Sequence, residues 1–231
     1  DIAWADPHTH ILSLVAFGGV GKTALVNEWL NRIGKDNYRG AERVYGWSFY
    51  SQGTQEDKNV SADEFLAQAL AWFEYKDETL KSPWDKGLKL AELLRRQKTL
   101  LILDGVEPLQ YPPGAMHGQL KDQGLKALLK ELANFNPGLC LVTTRVQLED
   151  LAHKAKTHVL EGSVKPVNLE NLSPKAGAQL LKNLKVQGTE RELREAAHEF
   201  KGHALALNLL GSYLAAVHDG EVRQRDLIPP C

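Results

Sequence analysis

Ala16-Phe17-Gly18-Gly19-Val20-Gly21-Lys22-Thr23 stands between an apolar run, Ile11 to Val15, and a helix-forming stretch, Ala24 to Leu30. Strand, glycine-rich turn and helix in that order are what a phosphate-binding loop requires. Gly18, Gly19 and Gly21 allow positive φ and close approach of the backbone to a polyphosphate, so that successive N–H groups point into one anion-sized hollow. The unpaired N–H groups and positive dipole end of the following helix face the same anion. Lys22 adds a mobile charge for the β and γ phosphates, and the Thr23 hydroxyl suits the shell of a Mg²⁺ ion. The candidate cradle is therefore Gly18, Gly19, Val20, Gly21, Lys22, Thr23 and Ala24. Ala16 stands where the usual pattern opens with glycine, which implies that no positive φ is needed there. A turn that merely joins a strand to a helix does not account for Gly-Lys-Thr at the helix start.

Downstream, Thr99-Leu-Leu-Ile-Leu-Asp104 is a continuous apolar run ending in a carboxylate. Such a run needs burial on both faces, so it belongs inside a parallel sheet, and Asp104 emerges at the C-terminal edge where ligands of such sheets bind. Asp104 and Thr23 are the candidate Mg²⁺ residues. Many ATPases place a second carboxylate beside the metal-binding Asp to orient the attacking water, and here that neighbour is Gly105. Glu107 is the nearest substitute, either as base or as a solvated loop residue. Leu139-Cys-Leu-Val-Thr-Thr-Arg145 is another buried strand, and its arginine sits at the edge where a γ-phosphate would be sensed. The plainer reading of Arg145 is a surface residue that starts the next helix. Lys22, Asp104, Glu107 and Arg145 are the candidate catalytic residues.

The remaining chain reads as strand alternating with helix, then helices only. Arg43 to Tyr50 gives a second strand, with Ser51 or Gln52 at its end near the nucleotide-proximal water or else only in a turn. Ser61-Ala-Asp-Glu64 reads as a capping box, helices follow near 84–96 and 120–135, and a short helix and strand are expected near 148–154 and at His158 to Glu161. Ser173-Pro174, Thr189 and Ala204 open three further helices, and the boundary is set at 162/163, within a transition from Gly162 to Leu169. His198 and His203 have one residue too many between them for a zinc-protease helix, so no metal is expected besides nucleotide-borne Mg²⁺.

Composition limits the alternatives. With 28 basic and 29 acidic residues, net charge −1, nothing points to nucleic acid or a membrane surface. Two cysteines among 231 residues provide no disulfide framework, and no apolar run approaches the ~18 residues of a membrane span. These features fit a cytoplasmic protein. The chain begins at Asp1 and stops at Cys231, and it reads as a fragment of something longer.

Together these motifs resemble the signal-transduction ATPases with numerous domains, or STAND proteins, and within them the NB-ARC type of plant immune receptors, apoptotic activators and many bacterial proteins. The resemblance rests on Gly18 to Thr23, Leu100-Leu-Ile-Leu-Asp104, Val142-Thr-Thr-Arg145, Leu169-Glu-Asn-Leu-Ser173 and Gly202-His-Ala-Leu-Ala-Leu207. It implies an α/β P-loop NTPase domain (1–162) with a five-stranded parallel sheet in a three-layer α/β/α arrangement, the Arg145 strand lying between the phosphate-loop and Asp104 strands. It implies next a small all-helical domain (163–231) whose Gly202 to Leu207 turn closes over adenine, with Ala204 in place of the family's proline. The Trp47 to Thr54 stretch looks most like bacterial members.

The function implied is a switch. ADP holds a closed monomer, ATP with Mg²⁺ favours an oligomerising form, and slow hydrolysis resets it. Sensor and effector domains, with a role in signalling or innate immunity, would lie elsewhere in the full-length chain. The rivals are a conventional turnover ATPase or kinase using the same loop, and a binding module that has lost nucleotide.

Overall fold

The computed structural model describes residues 1–50, 61–77, 79–152 and 162–227. Two compact units form, one from residues 1–15 and 26–168, the other from residues 16–25 and 169 onward. The elements are α1 Ile2–Ala5, β1 Ile11–Val15, α2 Lys22–Gly34, β2 Arg43–Ser48, α3 Asp63–Trp72, α4 Pro83–Arg95, β3 Thr99–Asp104, α5 Gln123–Asn134, β4 Leu139–Thr144, β5 Val164–Asn168, α6 Pro174–Asn183, α7 Glu190–Glu199 and α8 Ala204–Val217.

In the first unit the five strands form one parallel sheet in the order β2-β3-β4-β1-β5. The Arg145 strand, β4, lies between β1 and β3, as the resemblance implies. Every residue of β3 and β4 is buried. Because side chains alternate along a strand, Leu101, Leu103, Cys140 and Val142 fill one core while Leu100, Ile102, Leu139 and Leu141 are buried on the opposite face. The sheet is thus covered on both sides, which is the three-layer α/β/α arrangement. The edges differ: β2 is only half-buried, and β5 carries Pro166, which has no N–H to donate and is tolerated at an edge.

The expected fifth strand at 158–161, like Ser51 and Gln52, lies outside the described residues. The strand that completes the sheet is β5, paired with β1, so the sheet runs on to Asn168, within the transition from Gly162 to Leu169. Of the helix expected near 148–154, the described residues form a 3-10 turn, Glu149–Leu151.

Helices α3, α4 and α5 pack together on one core. Phe65 of α3 is fully buried among Tyr45, Trp47 and Phe49, its ring centroid 5.7 Å from that of Phe49. Burial of such a side chain contributes about 1.5–3 kcal/mol. Gly87 sits where α4 crosses α5: a Cβ there would lie 2.1 Å from the Gly124 carbonyl oxygen. The capping box expected at Ser61 does not form. Ala62 is the cap residue, its N–H donates to Asp122 Oδ2 at 2.9 Å, and Glu64 accepts from Gln68 instead. Asp122, which also caps α5 through the Leu125 N–H, competes for the start of α3 across the fold.

In the second unit α6, α7 and α8 bury Leu181, Leu193, Ala196, Leu207, Leu210 and Leu214. Ser173 caps α6, and Thr189 with Glu192 forms a complete capping box on α7. Gly202, at φ +67°, lies against Leu172: a Cβ there would be 1.9 Å from the Leu172 carbonyl oxygen, and the Leu172 N–H donates to Gly202 O at 2.9 Å. Two of the motifs read from the sequence, Leu169 to Ser173 and Gly202 to Leu207, are therefore in contact.

Candidate functional site

The loop Ala16–Gly21 follows β1 directly and leads into α2. Gly19 and Gly21 have φ of +77° and +106°, whereas Gly18 and Ala16 do not take positive φ. The expectation of positive φ at Gly18 is thus corrected, since its use lies in its carbonyl. Lys22 is buried, and its ammonium donates to Ala16 O at 2.7 Å and to Phe17 O at 3.1 Å, drawing the start of the loop back over its end. Thr23 and Ala24 lie exposed in the first turn of α2. A loop curled on two glycine hinges, with a lysine inside it and a helix N-terminus behind it, fits the phosphates of a nucleotide.

In the same unit the start of α8 rests on this loop. The His203 Nε2 is 3.0 Å from Gly18 O, and the Leu205 N–H donates to Gly19 O at 3.0 Å. The Ala206 N–H donates to His203 Nδ1, which makes His203 the N-cap of α8. A carbonyl only accepts and Nδ1 is itself an acceptor here, so Nε2 carries the proton. A Cβ on Gly19 would lie 2.6 Å from His203 Cε1, and one on Gly21 would lie 3.9 Å from Ala204 Cβ. Gly19 is thus required both for its φ and for the approach of the imidazole. Ala204, the expected adenine neighbour, sits at the first position of α8.

At the C-terminal end of the sheet in the first unit, Asp104 is buried and accepts from the Thr143 hydroxyl at 2.7 Å, while Thr143 Oγ1 accepts the Gly105 N–H at 2.8 Å. The hydroxyl therefore fixes both the carboxylate and the turn that follows it. Gly105 has φ +72°, and a Cβ there would lie 2.1 Å from Tyr50 Cε2. A side chain next to Asp104 would need the left-handed φ of Gly105 and a shift of the Tyr50 ring.

Glu107 takes up the space one turn later. Its Oε1 accepts from the Tyr50 hydroxyl and pairs with Arg145 Nε at 2.8 Å, and its Oε2 is buried without a hydrogen-bond partner among the described residues. The Glu107 side chain is 14% exposed and that of Arg145 is 52% exposed. Glu107 is therefore not a solvated loop residue, and Arg145 begins no helix. The carboxylate oxygens of Asp104, hard donors at a strand end, suit Mg²⁺.

Sequence reasoning brought forward Glu107 and Arg145 separately, and the fold joins them. It missed Tyr50, Gln110 and His203. Gln110 is buried, accepts from Thr144 Oγ1 at 2.5 Å and donates to Gly118 O and Val146 O, pinning the chain just past Arg145. Nothing local marks Tyr50 or Gln110. His203 did have a signal, since it occupies the cap position between Gly202 and an apolar helix.

No functionally curated protein is recognisably similar in sequence. Among solved structures, the chain is similar to a Walker-type ATPase of Pyrococcus abyssi, with 15% identity, TM-score 0.51, and 95% of this chain and 67% of that one covered. It is similar to a STAND protein with a tetratricopeptide repeat sensor from Pyrococcus horikoshii, with 18% identity, TM-score 0.51, and 86% of this chain covered but only 27% of that one. The Orc1 protein of Aeropyrum pernix, in complex with DNA, is similar at 15% identity, TM-score 0.56, with 94% of this chain and 58% of that one covered. These likenesses support the P-loop NTPase fold. Among the described residues no helix is long and apolar enough to cross a membrane. Residues 17–185, most of the chain, match the family model of the NACHT domain, and the chain accordingly belongs to that family of STAND-class P-loop NTPases.

Proposed function

We propose that this chain is the nucleotide-operated core of a switch: it binds ADP and ATP with different consequences, and slow Mg²⁺-dependent hydrolysis returns it to the ADP form. Two nucleotides that differ only by a γ-phosphate can be told apart only by contacts to that group or by what it displaces. The observation that carries this reading is the Arg145–Glu107 pair, an exposed guanidinium held by a carboxylate that is mostly buried. A γ-phosphate is a stronger, bidentate partner for a guanidinium than one carboxylate oxygen, and ADP lacks it. In this reading Arg145 exchanges partners, Lys22 neutralises the phosphates, and Gly18 to Ala24 cradle them. Thr23 and Asp104 would hold Mg²⁺, whose chemistry is to neutralise charge developing on the transferred phosphoryl group. Ala204, at the start of α8, is read as the neighbour of the adenine.

The finer NB-ARC assignment, a bacterial source, cytoplasmic location, self-association on activation, and sensor and effector domains in a longer protein with an immune or regulatory output belong to the same proposal. The chain spans about a quarter of the STAND relative's length, which leaves room for further domains in that arrangement. Titration of nucleotide into wild-type protein and Lys22→Ala tests the reading. Binding is expected in the first and loss in the second, and binding unaffected by the substitution would refute it. The rival, a turnover ATPase or kinase, draws on Glu107 Oε2, which accepts no hydrogen bond among the described residues and so keeps lone pairs of the kind a general base needs. Many turnovers per second in a steady-state assay would favour that rival.

A further inference from the structure

Four consecutive carbonyls of the phosphate loop are occupied. Those of Ala16 and Phe17 accept from the Lys22 ammonium, that of Gly18 faces His203 Nε2, and that of Gly19 accepts from the Leu205 N–H. A trans peptide is planar, with its C=O and N–H pointing in opposite directions. Fixing the Gly18 carbonyl toward His203 therefore turns the Gly19 N–H away from α8, and fixing the Gly19 carbonyl does the same for Val20 N–H. Lys22 orients the N–H groups of Phe17 and Gly18 in the same manner. A loop with two glycine hinges would otherwise sample many arrangements, and the entropy of fixing each hinge falls on the ligand.

We propose that His203 is a positioning residue for the phosphate loop. Through the Gly18 carbonyl it presets the Gly19 N–H toward the anion, while the Leu205 N–H of the same helical turn does so for the Val20 N–H through the Gly19 carbonyl, so that seating of the first turn of α8 controls how long nucleotide is retained. The imidazole is suited to this because it bridges two polar groups at once, capping α8 through Nδ1 and holding the loop through Nε2. The contact also explains why the loop carries glycine at position 19, since any side chain there would collide with the ring. This inference rests on the reading of the loop as a nucleotide cradle.

Two substitutions separate the roles of the ring nitrogens. Asn at 203 retains an acceptor near Nδ1 and is a good N-cap, but does not reach Gly18. Gln extends a donor to about the position of Nε2. In the full chain, hydrogen exchange at the Gly19 and Val20 amides is followed without nucleotide, and release of a fluorescent ADP analogue is followed separately. His203→Asn is expected to leave the melting temperature unchanged, to speed exchange at the Gly19 amide more than at Val20, and to speed ADP release about fivefold to tenfold, the loss of one hydrogen bond. His203→Gln is expected to recover part of both effects. Exchange and release in His203→Asn equal to wild type would overturn the proposal. A wild-type protein that binds no ADP would instead refute the cradle reading, and the exchange arm would still decide whether His203 holds the loop.

Discussion

Arg145 and Glu107 form an ion pair, Nε to Oε1 2.8 Å, in which the carboxylate is the buried partner and the guanidinium the exposed one. The asymmetry matters because a carboxylate sequestered by the fold cannot follow its partner. If Arg145 is drawn to another anion, Glu107 is left with the Tyr50 hydroxyl and an Oε2 that has no partner among the described residues.

The first prediction follows from that carboxylate. Glu107→Ala removes both the anchor of Arg145 and the carboxylate that stands nearest in sequence after Asp104, whose neighbour is Gly105. ATP turnover is expected to fall at least about tenfold, since a general base is worth ~10²–10⁴-fold. Nucleotide affinity is expected to hold. An unchanged rate in a phosphate-release assay would remove Glu107 from the chemistry.

Thr143 supports Asp104 from the neighbouring strand. Thr143→Val keeps the shape but deletes the hydroxyl that donates to Asp104 and accepts from Gly105. Leaving these buried groups short of a partner is expected to cost about 1–3 kcal/mol by denaturant unfolding. A higher Mg²⁺ requirement for ATP binding is expected as well, and titration of Mg²⁺ would detect it.

Close packing of α4 on α5 is expected to be intolerant of a single methyl. Gly87→Ala would place Cβ 2.1 Å from a backbone oxygen, which no side-chain rotation relieves. About 1–3 kcal/mol of destabilisation is expected, and a melting temperature equal to wild type would contradict this account of the crossing.

Acid stability of the helical unit is expected to depend on Glu192. The Thr189 backbone N–H first, then Arg223 and the Thr189 hydroxyl, hold its carboxyl down at about 2 from an ordinary 4.5. A depressed carboxyl contributes stability that is present above the unfolded value and lost as pH falls through the folded one. The loss is therefore expected between about pH 4.5 and 2, and Glu192→Gln is expected to flatten the melting temperature in that window.

Much of this architecture was legible because local pattern and tertiary environment agree. The apolar runs at Ile11, Thr99 and Leu139 are strands because only a covered parallel sheet can bury them, and Ser173, Thr189 and Ala204 each mark a helix start. β5 was illegible because Lys165 and Pro166 break its apolar pattern and an edge strand needs none. Ser61 misled because a better acceptor, Asp122, arrives from a distant part of the chain. In the candidate site, the glycines, Lys22 and Asp104 carry their chemistry in their spacing. Tyr50 and Gln110 act on backbone groups or side chains brought to them by folding, which no spacing encodes, whereas His203 stands at a legible cap position and only its hold on the Gly18 carbonyl comes with folding.

The central claim is that the protein tells ATP from ADP through Arg145. Calorimetric titration of both nucleotides into wild type and Arg145→Ala, with Mg²⁺ present, tests it most directly. ATP affinity is expected to fall about tenfold or more, the worth of a charge-assisted pair of about 1.5–3 kcal/mol, with ADP affinity nearly unchanged. Equal losses for the two nucleotides, or none for either, would contradict it.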